Sequence, residues 1–282
     1  MSTSNTLEGI LSQYRNSAYN NDLVWINFTR RTDKFPFLKE HRDFIEKNNL
    51  GFGDRAFHYM WYLLISHLVL KNGHPKVLEI GVYKGQVISL WALIAKYLNS
   101  TIDIVAVSPF TGNISNNVFL NNPFVNKVRG YISQKFIQNQ KVGNYHPRQD
   151  YFSIIREVFE HFELNFDEVN KIKGYSNSEP VLKCIKDMHL DIVYIDGDHS
   201  YDAVVKDIQN YSSLIKPSGF LVMDDASYFL PGNQFWKGYE EVSRACAIIE
   251  DLGFTNVLNV GHNRIYQKDL VTTRSINKKI FL

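Results

Sequence analysis

The sequence lacks a strong charge of either sign, a long apolar run and a secretory signal. Its 31 basic and 29 acidic side chains leave a formal net charge of +2 over 282 residues, which offers little attraction for nucleic acid or an anionic membrane. The best apolar run, residues 61–70, is interrupted by Ser66 and His67 and is much shorter than the roughly 18 residues of a membrane span. The polar N-terminus carries no signal pattern, so we expect a cytoplasmic protein.

Cysteine is also scarce. The two cysteines, Cys184 and Cys246, both fall in apolar stretches with helical patterns, which argues against a disulfide framework or a zinc site. With 44% hydrophobic and 21% charged residues, the composition is that of a globular protein large enough to bury a sizeable core. We expect a monomer or a small homo-oligomer.

Short β-branched runs alternate with amphipathic stretches along most of the chain, which is typical of a parallel sheet covered by helices. The predicted strands are 77–81, 102–107, 169–173, 191–195, 220–223, 256–260 and 264–267. The predicted helices are 54–71, 86–98, 151–162, 179–188, 201–215 and 240–252. We expect Asp202 and Asp207 to face solvent, and we expect turns at 216–219 and 261–263.

These elements predict a Rossmann-like, doubly wound α/β sheet of seven strands with one antiparallel edge strand. Residues 1–53 are expected to form a helical or irregular extension, residues 54–268 the sheet domain, and residues 269–282 a tail. The Asn- and Gln-rich segment 109–150 is an insertion, for which a lid and an oligomer contact are both open. Ligands of such sheets bind outside the carboxyl ends of the strands, so the residues after each strand matter most.

The first strand ends in the spacing E-x-G-x-x-x-G, formed by Glu79, Gly81 and Gly85. Glycine lets a ligand approach the backbone closely, and the N-terminus of the following helix offers free N–H donors. The spacing differs from the dinucleotide fingerprint and from the phosphate-binding P-loop, which weakens both of those interpretations. A carboxylate inside an apolar strand needs a partner, so Glu79 either binds an amino-bearing ligand or caps a neighbouring backbone.

This spacing resembles the first motif of the class I S-adenosylmethionine-dependent methyltransferases. The resemblance implies that Glu79 and the two glycines contact the methionine part of the cofactor, with Tyr83 between them in the same site. The family usually holds the ribose with an acidic residue after the second strand, where this sequence has Ser108. Ser176 follows the third strand, where the family contacts the adenine.

An acidic cluster follows the fourth and fifth predicted strands. Asp196, Asp198 and His199 come after one strand, and Asp224 and Asp225 come after the next. If these strands are neighbours, their ends lie about 5 Å apart and the carboxylates converge. Like charges this close destabilise a fold, and a divalent cation that takes hard oxygen ligands is a simple remedy. Helix capping explains one of these acids, but not four of them with a histidine.

A likeness to the metal-dependent O-methyltransferases rests on three features: the segment 191–201, the predicted turn 216–219, and the acidic pair Asp224 and Asp225. The likeness is greatest to bacterial enzymes that methylate sugar hydroxyls on macrolides, aminocoumarins and surface glycans. It implies that Asp196, Asp224 and Asp225 hold Mg²⁺ or another hard divalent cation. The base would be Asp198 or His199, and we favour His199 because a neutral imidazole accepts a proton without adding negative charge.

The expected partners are therefore S-adenosylmethionine and a small-molecule or glycan acceptor. A catechol-like phenol is a second type of acceptor, since vicinal aromatic hydroxyls chelate the same metal. Two different functions also stay open: a glycosyltransferase that uses Asp196 and Asp198 as a D-x-D motif, and a non-catalytic scaffold. The aromatic residues after the fifth strand either form a platform for a sugar ring or pack in the core: Tyr228, Phe229, Phe235 and Trp236.

Overall fold

The computed structural model describes residues 6–112, 144, 146–147 and 149–270, which leaves most of the predicted insertion and tail outside the described residues. The strands are β1 (Lys76–Ile80), β2 (Asp103–Ser108), β3 (Asn170–Lys173), β4 (Leu190–Ile195), β5 (Ile215–Met223), β6 (Phe254–Val260) and β7 (Asn263–Lys268). The α-helices are α1 (Leu7–Gln13), α2 (Ala18–Lys34), α3 (Pro36–Asn48), α4 (Ala56–Asn72), α5 (Gln86–Tyr97), α6 (Tyr151–His161), α7 (Glu179–Ile185), α8 (Tyr201–Ser212) and α9 (Glu240–Ala245).

These strands form one sheet in the order β3-β2-β1-β4-β5-β7-β6. The first five pair in parallel, whereas β7 runs antiparallel to both β5 and β6. This confirms the doubly wound seven-stranded sheet with the final hairpin at one edge, where β7 is the antiparallel strand and β6 is the outermost. The strand order reverses between β1 and β4, and the crevice at such a switch point is where ligands bind in this architecture.

Apolar residues cover both faces of the sheet. On one face α4 and α5 pack through Trp61 and Trp91, whose ring centroids are 4.9 Å apart in an edge-on arrangement. The first helices join the same core, because Leu7, Phe28 and Leu38 are buried in it. The predicted boundary at residue 53 falls in the loop between α3 and α4, and the division into domains stays a prediction.

The helices begin and end where the local chemistry favours it. The Thr6 hydroxyl accepts a hydrogen bond from the amide of Gly9 at 3.2 Å and caps α1, and Ser17 caps α2 in the same way. Pro36 stands at the start of α3, and Gly73 ends α4 with φ of +72°. Among the described residues, no helix is both long and apolar enough to cross a membrane.

Two predicted elements were wrong. Residues 216–219 do not form a turn before the fifth strand, because β5 begins at Ile215 and includes them. The pairing of β4 with β5 shifts between Leu190 and Ile192, so the extra residues bulge from the strand. Pro217 is tolerated at such a bulge, where no ladder N–H is needed. The helix predicted over 240–252 ends at Ala245 and continues as two short 3-10 turns.

Two side chains also differ from expectation. Asp207 does not face solvent: it is 2% exposed, whereas Asp202 on the same helix is exposed. The reason is position on α8, since Asp207 lies next to the buried Ile208 on the face that packs against the sheet. Cys184 is exposed rather than enclosed in apolar surroundings, whereas Cys246 is buried. Both cysteines are free thiols.

Candidate functional site

The loop after β1 approaches the backbone that follows β4. Gly81 has φ of +94°, and a Cβ built there would lie 1.8 Å from the carbonyl oxygen of Asp196. Any side chain at this position would push the two loops apart. The amide of Gly81 donates to the carbonyl oxygen of Val107 at 3.0 Å, which ties the same loop to β2. Position 81 therefore requires glycine for close approach as well as for its backbone conformation.

Gly85 and Tyr83 shape the rest of this loop. Gly85 precedes α5 with φ of +84°, and a Cβ there would lie 2.8 Å from the side chain of Ile155. Tyr83 also has a positive φ, +44°, which is uncommon for an aromatic residue. Its ring stacks near that of Phe52, with the centroids 5.3 Å apart. Phe52 lies in the loop between α3 and α4, so this loop contributes one wall of the site.

Glu79 is the buried acid of this loop. It is 1% exposed, and its Oε2 atom makes no hydrogen bond within the described part of the chain. Burial raises the pKa of the Glu79 carboxyl well above its usual range, and the nearby charge of Asp224 raises it further. A buried acceptor of this kind is suited to a ligand that brings a hydrogen-bond donor.

Ser108 and Ser176 follow β2 and β3. The Ser108 hydroxyl is buried and accepts a long hydrogen bond, 3.5 Å, from the amide of Phe110. The Ser176 hydroxyl donates to Asp207 Oδ1 at 2.6 Å. A Cβ built at Gly197 would lie 3.7 Å from Asp207 Oδ2, so this buried acid, bonded to the loop after β3, also lies beside the loop after β4. Neither serine is among the described residues that line the cleft around Glu79.

The acids after β4 and β5 lie together. The two strands pair in parallel up to their last residues, and the amide of Asp224 donates to the carbonyl oxygen of Ile195 at 3.0 Å. His199 Nε2 lies 3.3 Å from Asp225 Oδ2 and 3.9 Å from Asp196 Oδ1. The structure thus brings together four of the residues that the sequence singled out. Asp225 occupies the left-handed region with φ of +51°, a conformation that aspartate tolerates better than most residues.

Asp198, the other candidate base, occupies a different position. It is exposed, and its Oδ1 accepts hydrogen bonds from the amide of Ser200 at 2.7 Å and from Asn144 Nδ2 at 3.0 Å. These contacts fix the turn that leads into α8. The choice between Asp198 and His199 as the base stays a prediction, with His199 the nearer of the two to the buried acids.

Sequence reasoning missed one member of the cluster, His262. It lies in the turn between β6 and β7, is 3% exposed, and places Nε2 at 3.2 Å from Asp224 Oδ1. Its Nδ1 is 3.8 Å from Asp54 Oδ2, which itself accepts a hydrogen bond from Trp25 Nε1 at 2.7 Å. The only sequence signal was a histidine in a tight hairpin turn, a position that needs no functional explanation.

The charged groups in this cluster shift one another's pKa values. Burial raises the pKa of Asp196 and of Asp225 well above the usual range, and the charge of Asp224 acts in the same direction on both. For Asp224, burial is the largest single effect and raises the pKa, but the charge of His262 and hydrogen bonds with His262, Tyr194 and Asp196 together lower it. Burial would lower the pKa of His262, but the charges of Asp224 and Asp54 raise it to about 9. These two acids therefore favour the protonated form of His262 while no metal cation is bound, and a cation at Nε2 would replace that proton.

The donor set fits a divalent cation. Asp224, Asp225 and His262 each offer one ligand atom, and the three atoms lie within 4.8 Å of one another. Asp224 Oδ1 is buried and makes no hydrogen bond to the described residues. Carboxylate oxygens suit hard ions such as Mg²⁺, and an imidazole adds a donor that Mn²⁺, Co²⁺ and Zn²⁺ accept well.

Aromatic side chains border the cluster. The Tyr239 ring lies 4.7 Å from that of His199, and Trp236 lies 5.3 Å from Tyr239 and 5.7 Å from His262 between ring centroids. Trp236 is 55% exposed, so one part of the indole is open to a ligand. Of the other predicted platform residues, Phe235 is buried, whereas Tyr228 and Phe229 are exposed and pair with each other.

A cleft joins the glycine loop to the acidic cluster. Its lining includes Glu79, Gly81 and Tyr83 from the first loop and Asp196, Asp224 and His262 from the cluster. Residues of the segment before α4 close another side, among them Phe52. Two sets of residues that are far apart in the sequence therefore face one space.

Comparisons with known proteins agree with this geometry. Residues 78–226 match a protein family described as a methyltransferase domain. The O-methyltransferase NovP superposes with a TM-score of 0.53 at 13% identity, covering 76% of this chain and 79% of that one. The calicheamicin methyltransferase CalS11 superposes with a TM-score of 0.50 at 14% identity, covering 86% and 91%. At these identities the likeness establishes the fold.

A relative is also found among curated protein sequences. An uncharacterized protein of Acanthamoeba polyphaga mimivirus is 33% identical over 66 residues, which make up 23% of this chain and 30% of the mimivirus protein. The match therefore covers less than a third of that protein's length.

Proposed function

The chain belongs to this family of methyltransferase domains and has the fold of the class I S-adenosylmethionine-dependent enzymes. From this premise we propose that the protein is a divalent-metal-dependent O-methyltransferase. Its acceptor is a hydroxyl of a sugar or of a glycan-bearing small molecule. The observation that carries the proposal is the shared cleft, in which Glu79 and Gly81 face Asp196 and Asp224. A methyl donor held at the glycine loop would lie beside carboxylates suited to hold a metal and an acceptor.

We assign the cofactor to the residues after the first three strands: Glu79, Gly81, Tyr83, Gly85, Ser108 and Ser176. Glu79 supports this assignment because its unpartnered Oε2 can accept a hydrogen bond from an amino group. Gly81 leaves the backbone open where a side chain would collide with the next loop. Ser176 has its hydroxyl oriented by Asp207, so its position is set before any ligand arrives.

Asp196, Asp224 and Asp225 would hold the cation in this proposal. When bound, a hard divalent cation lowers the pKa of a coordinated hydroxyl and makes it a better nucleophile. The chain's own contribution is to converge these carboxylates from the ends of two paired strands. Burial is the largest cause of the raised pKa of Asp196 and Asp225, and the charge of Asp224 adds to it; a cation would relieve this repulsion.

His199 is the proposed base and receives the acceptor's hydroxyl proton at Nε2. Asp225 Oδ2, 3.3 Å away, would stabilise the imidazolium that forms. S-adenosylmethionine, held by the assigned cofactor residues, would supply the methyl group, with its sulfur as the leaving atom. Holding donor and acceptor in line can supply several kcal/mol of the barrier, up to about 7 to 11 in ideal cases.

Trp236 is the proposed contact for the acceptor ring. Its indole is open to solvent and lies beside His262 and Tyr239, at the edge of the acidic cluster. A catechol-like phenol is the second candidate acceptor, because its two hydroxyls could chelate the same cation and its ring could stack on the same indole. Membership of a methyltransferase family argues against the glycosyltransferase and the scaffold. The cytoplasmic location and the oligomeric state stay predictions.

The first experiment is calorimetric titration of the full chain with S-adenosylhomocysteine, with Mg²⁺ and again with EDTA. Saturable micromolar binding in both conditions is expected, because the assigned cofactor residues are distinct from the assigned metal ligands. If S-adenosylhomocysteine binds neither with Mg²⁺ nor with EDTA, the cofactor assignment is overturned. Turnover is then measured with sugar and catechol acceptors, and full activity in excess EDTA would overturn metal dependence.

A further inference from the structure

His262 stands between two carboxylates from distant parts of the chain. Its Nε2 lies 3.2 Å from Asp224 Oδ1, and its Nδ1 lies 3.8 Å from Asp54 Oδ2. The imidazole is 3% exposed and lines the cleft beside Glu79. A buried histidine whose two nitrogens face two acids has its ring plane fixed from both sides.

Asp54 is itself held in place. Its Oδ2 accepts a hydrogen bond of 2.7 Å from Trp25 Nε1, a residue of α2. The 3.8 Å to His262 Nδ1 is an ion-pair distance, so Asp54 acts on the ring by its charge. Metal-binding histidines in proteins commonly have a carboxylate on the nitrogen that does not bind the metal, and this partner sets the tautomer and the ring orientation. Asp54 occupies that place relative to His262.

Asp224 Oδ1 faces the other nitrogen at ion-pair distance. Asp224 Oδ1 makes no hydrogen bond to the described residues, and neither does Oε2 of Glu79, which is 1% exposed and lines the same cleft. The ligand atoms of Asp224, Asp225 and His262 lie within 4.8 Å of one another. Ligand atoms bonded to one ion at about 2.0 to 2.2 Å stand up to about 4.4 Å apart, so little movement is needed to close this set on a cation.

We infer that His262 Nε2 is a ligand of the metal, together with Asp224 and Asp225, and that Asp54 is the outer carboxylate that orients it. The inference rests on the metal dependence in the proposed function and changes the kind of ion expected. A site of oxygen donors alone suits Mg²⁺, whereas an added imidazole favours Mn²⁺, Co²⁺ or Zn²⁺. The N-terminal helices then take part in the metal site through Trp25 and Asp54.

The test uses the full chain and Mn²⁺, with no acceptor present. Mn²⁺ is paramagnetic, so pulsed electron paramagnetic resonance detects a nitrogen bound directly to it. We expect a nitrogen coupling in the unaltered protein, its loss in His262→Gln, and its retention in the matched control His199→Gln. Asp54→Asn is expected to keep the coupling while weakening Mn²⁺ binding by about 10- to 100-fold.

Labelling identifies the donor even if the His262 variant folds poorly. In His199→Gln made with ¹⁵N-histidine, the coupling should change to that of ¹⁵N, which identifies histidine as the donor without altering residue 262. A coupling that persists in His262→Gln, or that disappears in His199→Gln, would overturn the inference. Mn²⁺ bound without nitrogen coupling would overturn the inference but leave metal dependence intact. No binding of Mn²⁺ or Mg²⁺ would overturn both.

Discussion

Asp207 gives the sharpest test of how burial acts in this fold. It is 2% exposed on α8, and the hydroxyl of Ser176 donates to its Oδ1 at 2.6 Å. Burial raises the pKa of Asp207 to about 6, although the hydrogen bond from Ser176 lowers it and the charge of Asp198 raises it again. The informative perturbation is Asp207→Asn, which removes the charge and keeps a side chain that can hydrogen-bond Ser176.

Proton binding sets the sign of the effect. An unfolded aspartate has a pKa of about 3.9, so between about pH 4 and pH 6 the folded chain holds a proton that the unfolded chain has lost. The free energy of unfolding therefore falls as the pH rises through this window and is level above it. A difference of about two pKa units corresponds to roughly 3 kcal/mol, of which about 2 kcal/mol falls between pH 4.5 and pH 7.5.

The assay is urea unfolding of the protein and of Asp207→Asn at about pH 4.5 and about pH 7.5. The variant should gain about 2 kcal/mol relative to the unaltered protein on going from the lower to the higher pH. Asp202→Asn, on the exposed side of the same helix, is the matched control and should show no such gain. A stability difference that is the same at both pH values would refute the reasoning, since it would mean that burial does not shift this carboxyl.

The site itself can be tested at three positions. Gly81→Ala should abolish binding of S-adenosylhomocysteine in calorimetry, because its Cβ would lie 1.8 Å from a backbone oxygen, whereas Gly73→Ala, with similar φ and nothing within 4 Å, should retain it. Asp224→Asn should remove methyl transfer in a turnover assay while S-adenosylhomocysteine still binds; unchanged turnover would contradict its role as a metal ligand. Trp236→Ala should raise KM for the acceptor by several-fold, or about 0.5 to 1.5 kcal/mol, and leave KM for S-adenosylmethionine unchanged.

Much of the sheet could be predicted because period and composition are local properties. Each buried strand is a β-branched run flanked by turn residues, and β1, β2 and β4 lie within one residue of their predicted bounds. The convergence of Asp196 and Asp224 also followed from local information plus one rule, that parallel neighbours end at the same edge. The sheet positions the residues that come directly after its strands.

The errors fall where tertiary packing overrides a local signal. The segment Lys216–Gly219 has the composition of a turn, yet its pairing with β4 keeps it in the strand as a bulge. Asp207 has the charge of a surface residue, but it is buried and accepts a hydrogen bond from the hydroxyl of Ser176, 31 positions away in the sequence. Neither partner can be identified from the residues next to the side chain.

His262 was missed in the sequence, although its position beside Asp224 could have been predicted in part. Because β7 runs antiparallel to β5, it begins at the edge where β5 ends, and the turn before β7 must lie beside the residues after β5. The amide of Ala226 accordingly donates to the carbonyl oxygen of His262 at 2.8 Å. A histidine in that turn could thus have been placed beside Asp224 once the final hairpin was assigned. Asp54 could not, since it reaches the site from the loop before α4, whose path is set by helix packing rather than by strand pairing.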